Sequence, residues 1–139
     1  MSFSQFFNDN LILFLLFFAS IIAIIIYEIK NKGSKGIVID SAQCALKVNN
    51  GALLLDLRSF EEYKKGHIAG AKSISTEHFL ETVNKLANND KNREIIICDK
   101  DGYLCKNQAA ILVANSYANV FTLQYGVQGW IGDNLPVVN

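Results

Sequence analysis

Lysine and arginine are missing ahead of Tyr27, although the chain of 139 residues carries 13 of them. A cleaved secretory leader opens on a cationic segment and closes on a small-x-small site. Neither flanks the apolar run near this N-terminus, so the run is not read as a leader. Thirteen basic side chains against 13 acidic ones leave no net charge, which argues against a nucleic-acid partner. Cysteine is scarce as well. Cys44, Cys98 and Cys105 are odd in number and spaced unlike a disulfide framework, which points to free thiols in a reducing compartment. There is no internal repeat, and the apolar run holds no G-x-x-x-G dimer face. No metal site and no cofactor are expected.

The apolar run is Leu11 to Tyr27, without a charge and with one serine. Extended to Ile29 it reaches the roughly 17–25 residues a membrane-spanning helix needs. A buried core helix of that length would carry a polar stripe, and this one has none. Lys30, Lys32 and Lys35 follow closely, while Asp9 is the only charge before it. The positive-inside rule then places the bulk of the chain in the cytoplasm. The expected layout is a flank (residues 1–10), a transmembrane helix (11–29), a polar linker (30–36) and one domain (37–139). The location is the inner membrane, crossed once, with the C-terminal domain cytoplasmic.

Within the domain, short β-branched runs alternate with helical patterns. Strands are expected at Ile37–Ile39, Ala52–Leu57, Lys72–Ile74, Glu94–Cys98 and Asn119–Leu123. Helices are expected at Ala42–Val48, capped by Asp40 or Ser41; from Ser59 through Tyr63, stopped by Gly66; at Glu77–Ala87, capped by Thr76; and at Cys105–Ala114. Gly126–Trp130 reads as a turn or short helix. The alternation implies an α/β fold with a mostly parallel sheet.

The segment Arg93–Ala114 organises the rest. An apolar strand hands over to a helix through Asp99-Lys100-Asp101-Gly102-Tyr103-Leu104. A tight Gly-containing loop before a helix turns free backbone N–H groups toward one spot, which attracts an anion or a thiolate.

Three further patterns join it: Leu55-Asp56-Leu57-Arg58; Glu62-Tyr63 leading to Gly66-His67-Ile68-Ala69-Gly70-Ala71; and Gly126-Val127-Gln128-Gly129-Trp130 followed by Leu135-Pro136-Val137. Together they resemble the rhodanese-like domain, over nearly all of residues 37–138. With the apolar helix in front, the whole resembles the small membrane-anchored bacterial members of that family. The resemblance implies a three-layer α/β/α domain preceded by one transmembrane helix. From the residues themselves, Asp56 and Arg58 suit an ion pair shared with Glu61 or Glu62, His67 a hydrogen bond to backbone, His78 solvent, and Trp130 a core anchor. Gly66, Gly70 and Gly129 belong to the same structural motifs.

An active loop of that family reads C-x-x-G-x-R-[ST], with the cysteine as nucleophile. Gly102 and Ala109-Ala110 fix the register here. The nucleophile position is Asp99, the arginine position is Leu104, and the Ser/Thr position is Cys105. Cys105, at the start of a helix, is expected to be exposed on the loop, with a thiol pKa lowered by helix N–H groups and by Lys100 and Lys106. Asp99 and Asp101 oppose that effect. Cys98 points the other way, into the core, and Cys44 packs. A phosphatase-type C-x5-R loop counted from Cys98 puts Leu104 where the arginine is needed, which leaves a phosphate without its bidentate partner.

Two functions stay open. One is a rhodanese-type sulfurtransferase carrying sulfane sulfur as a Cys105 persulfide, with a sulfur donor and an acceptor thiol as partners. The other is a catalytically silent binding module for a membrane-associated protein. Both have the lipid bilayer as a partner.

Overall fold

The computed structural model describes residues 2–32 and 35–139. The chain divides after Lys32 into two compact units.

The first unit holds α1 (Phe3–Asp9) and α2 (Leu11–Lys32). In α2 the stretch Leu11–Ile29 is long and apolar enough to cross a membrane, with a mean hydropathy of 2.7 and none of it buried. The helix continues through Lys32, so the first residues of the expected linker are helical; Gly33 and Ser34 lie outside the described residues. Helix α1 was not expected in the flank. Ser2 starts it with a capping box: its hydroxyl accepts the Gln5 N–H, and the Gln5 side chain accepts the Ser2 N–H.

The second unit carries β1 (Ile37–Ile39), α3 (Ser41–Asn49), β2 (Leu53–Asp56), α4 (Phe60–Lys65), β3 (Lys72–Ser73) and α5 (Phe79–Leu86). It continues with β4 (Ile95–Cys98), α6 (Cys105–Ala114), β5 (Val120–Leu123) and α7 (Gly126–Gly132). The five strands form one sheet in the order β1-β5-β4-β2-β3, and all of its pairings are parallel. Strands β2, β4 and β5 are buried at every residue, which is why they read as continuous apolar runs and not as alternation.

Side chains of successive strand residues go to opposite faces, and two cores result. Leu53, Leu55, Ile95, Ile97 and Val120 pack with Phe79 and Val83 of α5 and with Ala109 and Leu112 of α6. Leu54, Ile96, Cys98, Phe121 and Leu123 pack on the other face with Cys44 of α3 and with Val127 and Trp130 of α7. The arrangement is the expected three-layer α/β/α sandwich.

One helix start differs. Helix α5 begins at Phe79, not Glu77, with His78 as its N-cap in the left-handed region (φ 53°) and no side-chain cap. Ser75 Oγ accepts the Glu77 N–H at 3.1 Å, so a serine turn occupies the residues Thr76 was expected to cap.

Candidate functional site

Strand β4 sits between β2 and β5, and its C-terminal end delivers Asp99 to the top of the sheet. Asp99 is 1% exposed, and its carboxylate turns back into the loop. Oδ1 accepts the Gly102 N–H at 2.5 Å. Oδ2 accepts the Leu104 N–H at 2.6 Å and the Cys105 N–H at 3.2 Å. These are the N–H groups that the loop and the helix start turn inward. Asp99 therefore caps α6 from six residues upstream, while the N-cap position itself, Leu104, offers no side-chain bond.

The loop is pinned from outside by the start of α7. Val127 N–H donates to Asp99 O at 2.9 Å, and Gln128 N–H donates to Lys100 O at 3.1 Å. Two glycines allow the close approach. A Cβ on Gly126 would stand 2.5 Å from Asp99 O and 2.7 Å from Asp101 N, and its φ is +57°. Gly102 (φ +97°) faces the Tyr125 backbone, which a Cβ would meet at 3.1 Å. The exposed Asp101 accepts the Tyr103 N–H at 3.2 Å.

Cys105 lies against this loop but not in its opening. It is 0% exposed and packs in the core beneath α6. Its Sγ donates to Gly102 O at 3.4 Å. Burial first, and then the charge of Asp99, push its thiol up to about 12; its own backbone N–H and Lys106 pull the other way and lose. The expectation of an exposed thiol with a lowered pKa is corrected here. The helix-terminal N–H groups that were to stabilise a thiolate are bonded to Asp99. Cys98 is fully buried on the opposite face of the sheet, its thiol raised well above the usual range by burial and then by Asp56. Burial likewise raises Cys44 to about 11.

The remaining motif residues build the frame beside the loop. Asp56, at the end of β2, is fully buried and paired with Arg58 at 2.8 Å. Arg58 Nε and Nη2 both reach the Asp56 carboxylate, and Nη2 also donates to Gly66 O at 2.8 Å. Burial works to lower the Arg58 pKa, but the bonded Asp56 overrides it and the net direction is up. The ion pair expected with Glu61 or Glu62 is replaced by the Gly66 carbonyl. The His67 ring stacks on Tyr63 with centroids 3.8 Å apart, and Nδ1 bonds Tyr63 O at 2.9 Å. The His67 backbone forms an antiparallel bridge with Val138. Gly70 lies in the turn before β3 and Gly129 within α7. Trp130 Nε1 donates to Pro136 O at 3.0 Å, tying the C-terminal segment to α7. His78 is exposed, 3.8 Å from Glu81.

Beside the loop a groove of about 270 Å³ is lined by Val38, Asp101, Tyr103, Lys106, Gln124 and Tyr125, among others. Tyr103, Leu104 and Tyr125 are each about two-thirds or more exposed. Among the described residues, no group of three or more His, Cys, Asp or Glu side chains could hold a metal ion.

What this arrangement can do chemically is limited. A sulfane-sulfur carrier needs an ionisable thiol under the inward N–H groups; here a carboxylate stands under them and every thiol is buried. The Rhodanese-like domain model matches residues 40–133, and the chain belongs to that family. The protein YibN of Escherichia coli K12 is 33% identical over 136 residues, spanning 96% of this chain and 94% of that one. The thiosulfate sulfurtransferase GlpE of Haemophilus influenzae is 32% identical over 90 residues, 65% of this chain and 83% of that one. A thiosulfate sulfurtransferase structure from Pseudomonas aeruginosa superposes with a TM-score of 0.67 at 24% identity, covering 75% of this chain and 19% of that one, which is a likeness of fold.

Sequence reasoning missed two parts of the site. It took Asp99 as a charge that repels an anion, not as the group that fills the cradle. The local Asx-turn pattern belongs to Asp101, which accepts the Tyr103 N–H two residues on, whereas Asp99 reaches amides three, five and six residues on, which has no local signature. It also missed the grip of Gly126, Val127 and Gln128 on the loop, which is a contact between distant segments with no local signature.

Proposed function

We propose that this chain is a rhodanese-like binding module held at the cytoplasmic face of the membrane, where its loop face recognises a membrane-associated protein. The observation that carries this reading is the Asp99 carboxylate bonded to the N–H groups of Gly102, Leu104 and Cys105. A built-in anion takes the positions that a persulfide or a thiosulfate oxygen would use, and its charge repels a second anion. Leu104 supplies no cation to offset that repulsion. The face remains suited to protein contact: Tyr103 and Tyr125 are exposed amphipathic aromatics beside a groove, the residue types enriched at interfaces. The length and apolarity of α2 support anchoring, and the lysines that follow it support a cytoplasmic domain.

The second reading, a sulfurtransferase, is favoured by the 32% identity to GlpE over 65% of the chain. It needs the Cys105 thiolate to attack the sulfane sulfur of thiosulfate, with sulfite leaving and the persulfide then passing to a thiol or to cyanide. The Cys105 proton must first be lost beside Asp99. Turnover of thiosulfate with cyanide separates the two. The binding module gives no rate above buffer in wild type or in Cys105→Ser. A wild-type rate that Cys105→Ser abolishes would establish the enzyme instead.

A further inference from the structure

We propose that α1 lies in the plane of the membrane–water interface, as an aromatic foot that seats the outer end of the span. This rests on the reading of α2 as a membrane span. Phe3, Phe6 and Phe7 recur at helical i, i+3, i+4 spacing, while Ser4, Gln5, Asn8 and Asp9 take the rest of the helix circumference. So short a helix has few hydrogen bonds of its own, and Phe3 and Phe6 remain well exposed, at 81% and 46%. The aromatic side folds toward the start of α2. Phe7 and Phe14 lie 4.9 Å apart, and Phe6 meets Phe14 edge-on at 6.4 Å.

The break between the helices fixes the depth. Asn10 leaves helical geometry (φ −115°, ψ 17°), and its side-chain amide donates to Phe6 O at 2.8 Å. The first N–H groups of a helix that begins after such a break have no intrahelical acceptor. Hydrocarbon offers them none, so the opening turn of α2 must sit where water or headgroups reach it. From Phe14 to Ile29 the apolar part of α2 is about 24 Å long at 1.5 Å per residue, within several Å of a ~30 Å hydrocarbon core, and Lys30 and Lys32 follow it. Residues 2–10 are then at headgroup depth, where Phe rings face the acyl chains and the polar side faces water. With no lysine or arginine in α1, this seating owes nothing to anionic lipid.

The test uses the full chain in phosphatidylcholine vesicles, with a nitroxide on Phe3→Cys, Ser4→Cys, Phe7→Cys or Asn8→Cys, one at a time. The native thiols are buried and stay unlabelled. Collision with oxygen reports the acyl region, and collision with a neutral nickel chelate reports water. The expected result is an oxygen-to-nickel ratio several-fold higher at positions 3 and 7 than at 4 and 8, unchanged when anionic lipid is added. All four positions open to nickel would place α1 in water, and all four open to oxygen would place it inside the hydrocarbon; either overturns the proposal, as does a pattern that needs anionic lipid. Labels at Leu16→Cys and Ile22→Cys isolate the underlying reading. If those are open to nickel, the span fails and the proposal falls with it.

Discussion

Replacing Asp99 by alanine removes one side chain and leaves three N–H groups without their acceptor. The loss is not uniform. Leu104 is exposed and Gly102 half-buried, so water can reach their amides, whereas Cys105 is fully buried. Hydrogen bonds to a charged acceptor are each worth roughly 1.5–3 kcal/mol net, and re-solvation of the outer two leaves an expected cost of about 3 kcal/mol. The cost falls on a loop that α7 also holds through Asp99 O and Lys100 O, so part of the geometry survives. For a domain of this size, about 3 kcal/mol corresponds to a fall in Tm of roughly 15 °C. The assay is thermal unfolding by circular dichroism of residues 33–139, a compact unit with both cores of its own. Asp101→Ala is the control. Its carboxylate is exposed and accepts one N–H, so a fall of no more than a few degrees is expected. Equal shifts for the two variants, or a shift below about 2 °C for Asp99→Ala, would refute the claim that Asp99 organises the loop.

Two further outcomes are expected. The Cys105 and Cys44 thiols are raised in the folded state, from an ordinary 9.0 to about 12 and about 11. Between the unfolded and folded values the folded chain holds the more protons, so stability is full below pH 9 and declines as pH rises toward 11 and 12. The slope is up to about 1.4 kcal/mol per pH unit per thiol. Urea midpoints measured across that range check it, and midpoints flat to pH 11 would contradict it. For topology, alkaline phosphatase fused after Asn139 should be inactive and a cytoplasmic reporter active, because Lys30, Lys32 and Lys35 follow the span. An active phosphatase fusion would reverse the orientation.

The strands were legible because burial on both faces forces unbroken Val/Ile/Leu runs, and β2, β4 and β5 appear in the sequence as such. The cap at Ser59 was legible, and that of α3 was narrowed to Asp40 or Ser41, because such side chains bond an amide three residues on; Asp40 is the one that does. The start of α5 was not, because Ser75 competes locally with Thr76 for the turn. At the site, Gly102 with Ala109 and Ala110 set the register of the loop, but the direction of the Asp99 side chain could not be read from them. A carboxylate at a strand end can face solvent or fold into its own loop, and the loop backbone it folds into is held by α7, which arrives from a distant segment. The exposure of Cys105 was misjudged for a related reason. Helical periodicity puts it on the face shared with Ala109 and Leu112, so it packs in the core instead of lining the loop opening.

The anion cradle of the loop is occupied by Asp99 and has no working thiol beneath it. Intact mass after thiosulfate treatment, for wild type and for Asp99→Cys, tests this directly. In the variant a thiol replaces the carboxylate under the N–H groups of Gly102, Leu104 and Cys105, which favour a thiolate. The expected result is an unchanged mass for wild type and a gain of one sulfur atom for Asp99→Cys. A wild-type chain that gains the sulfur, and loses that gain in Cys105→Ser, would contradict it.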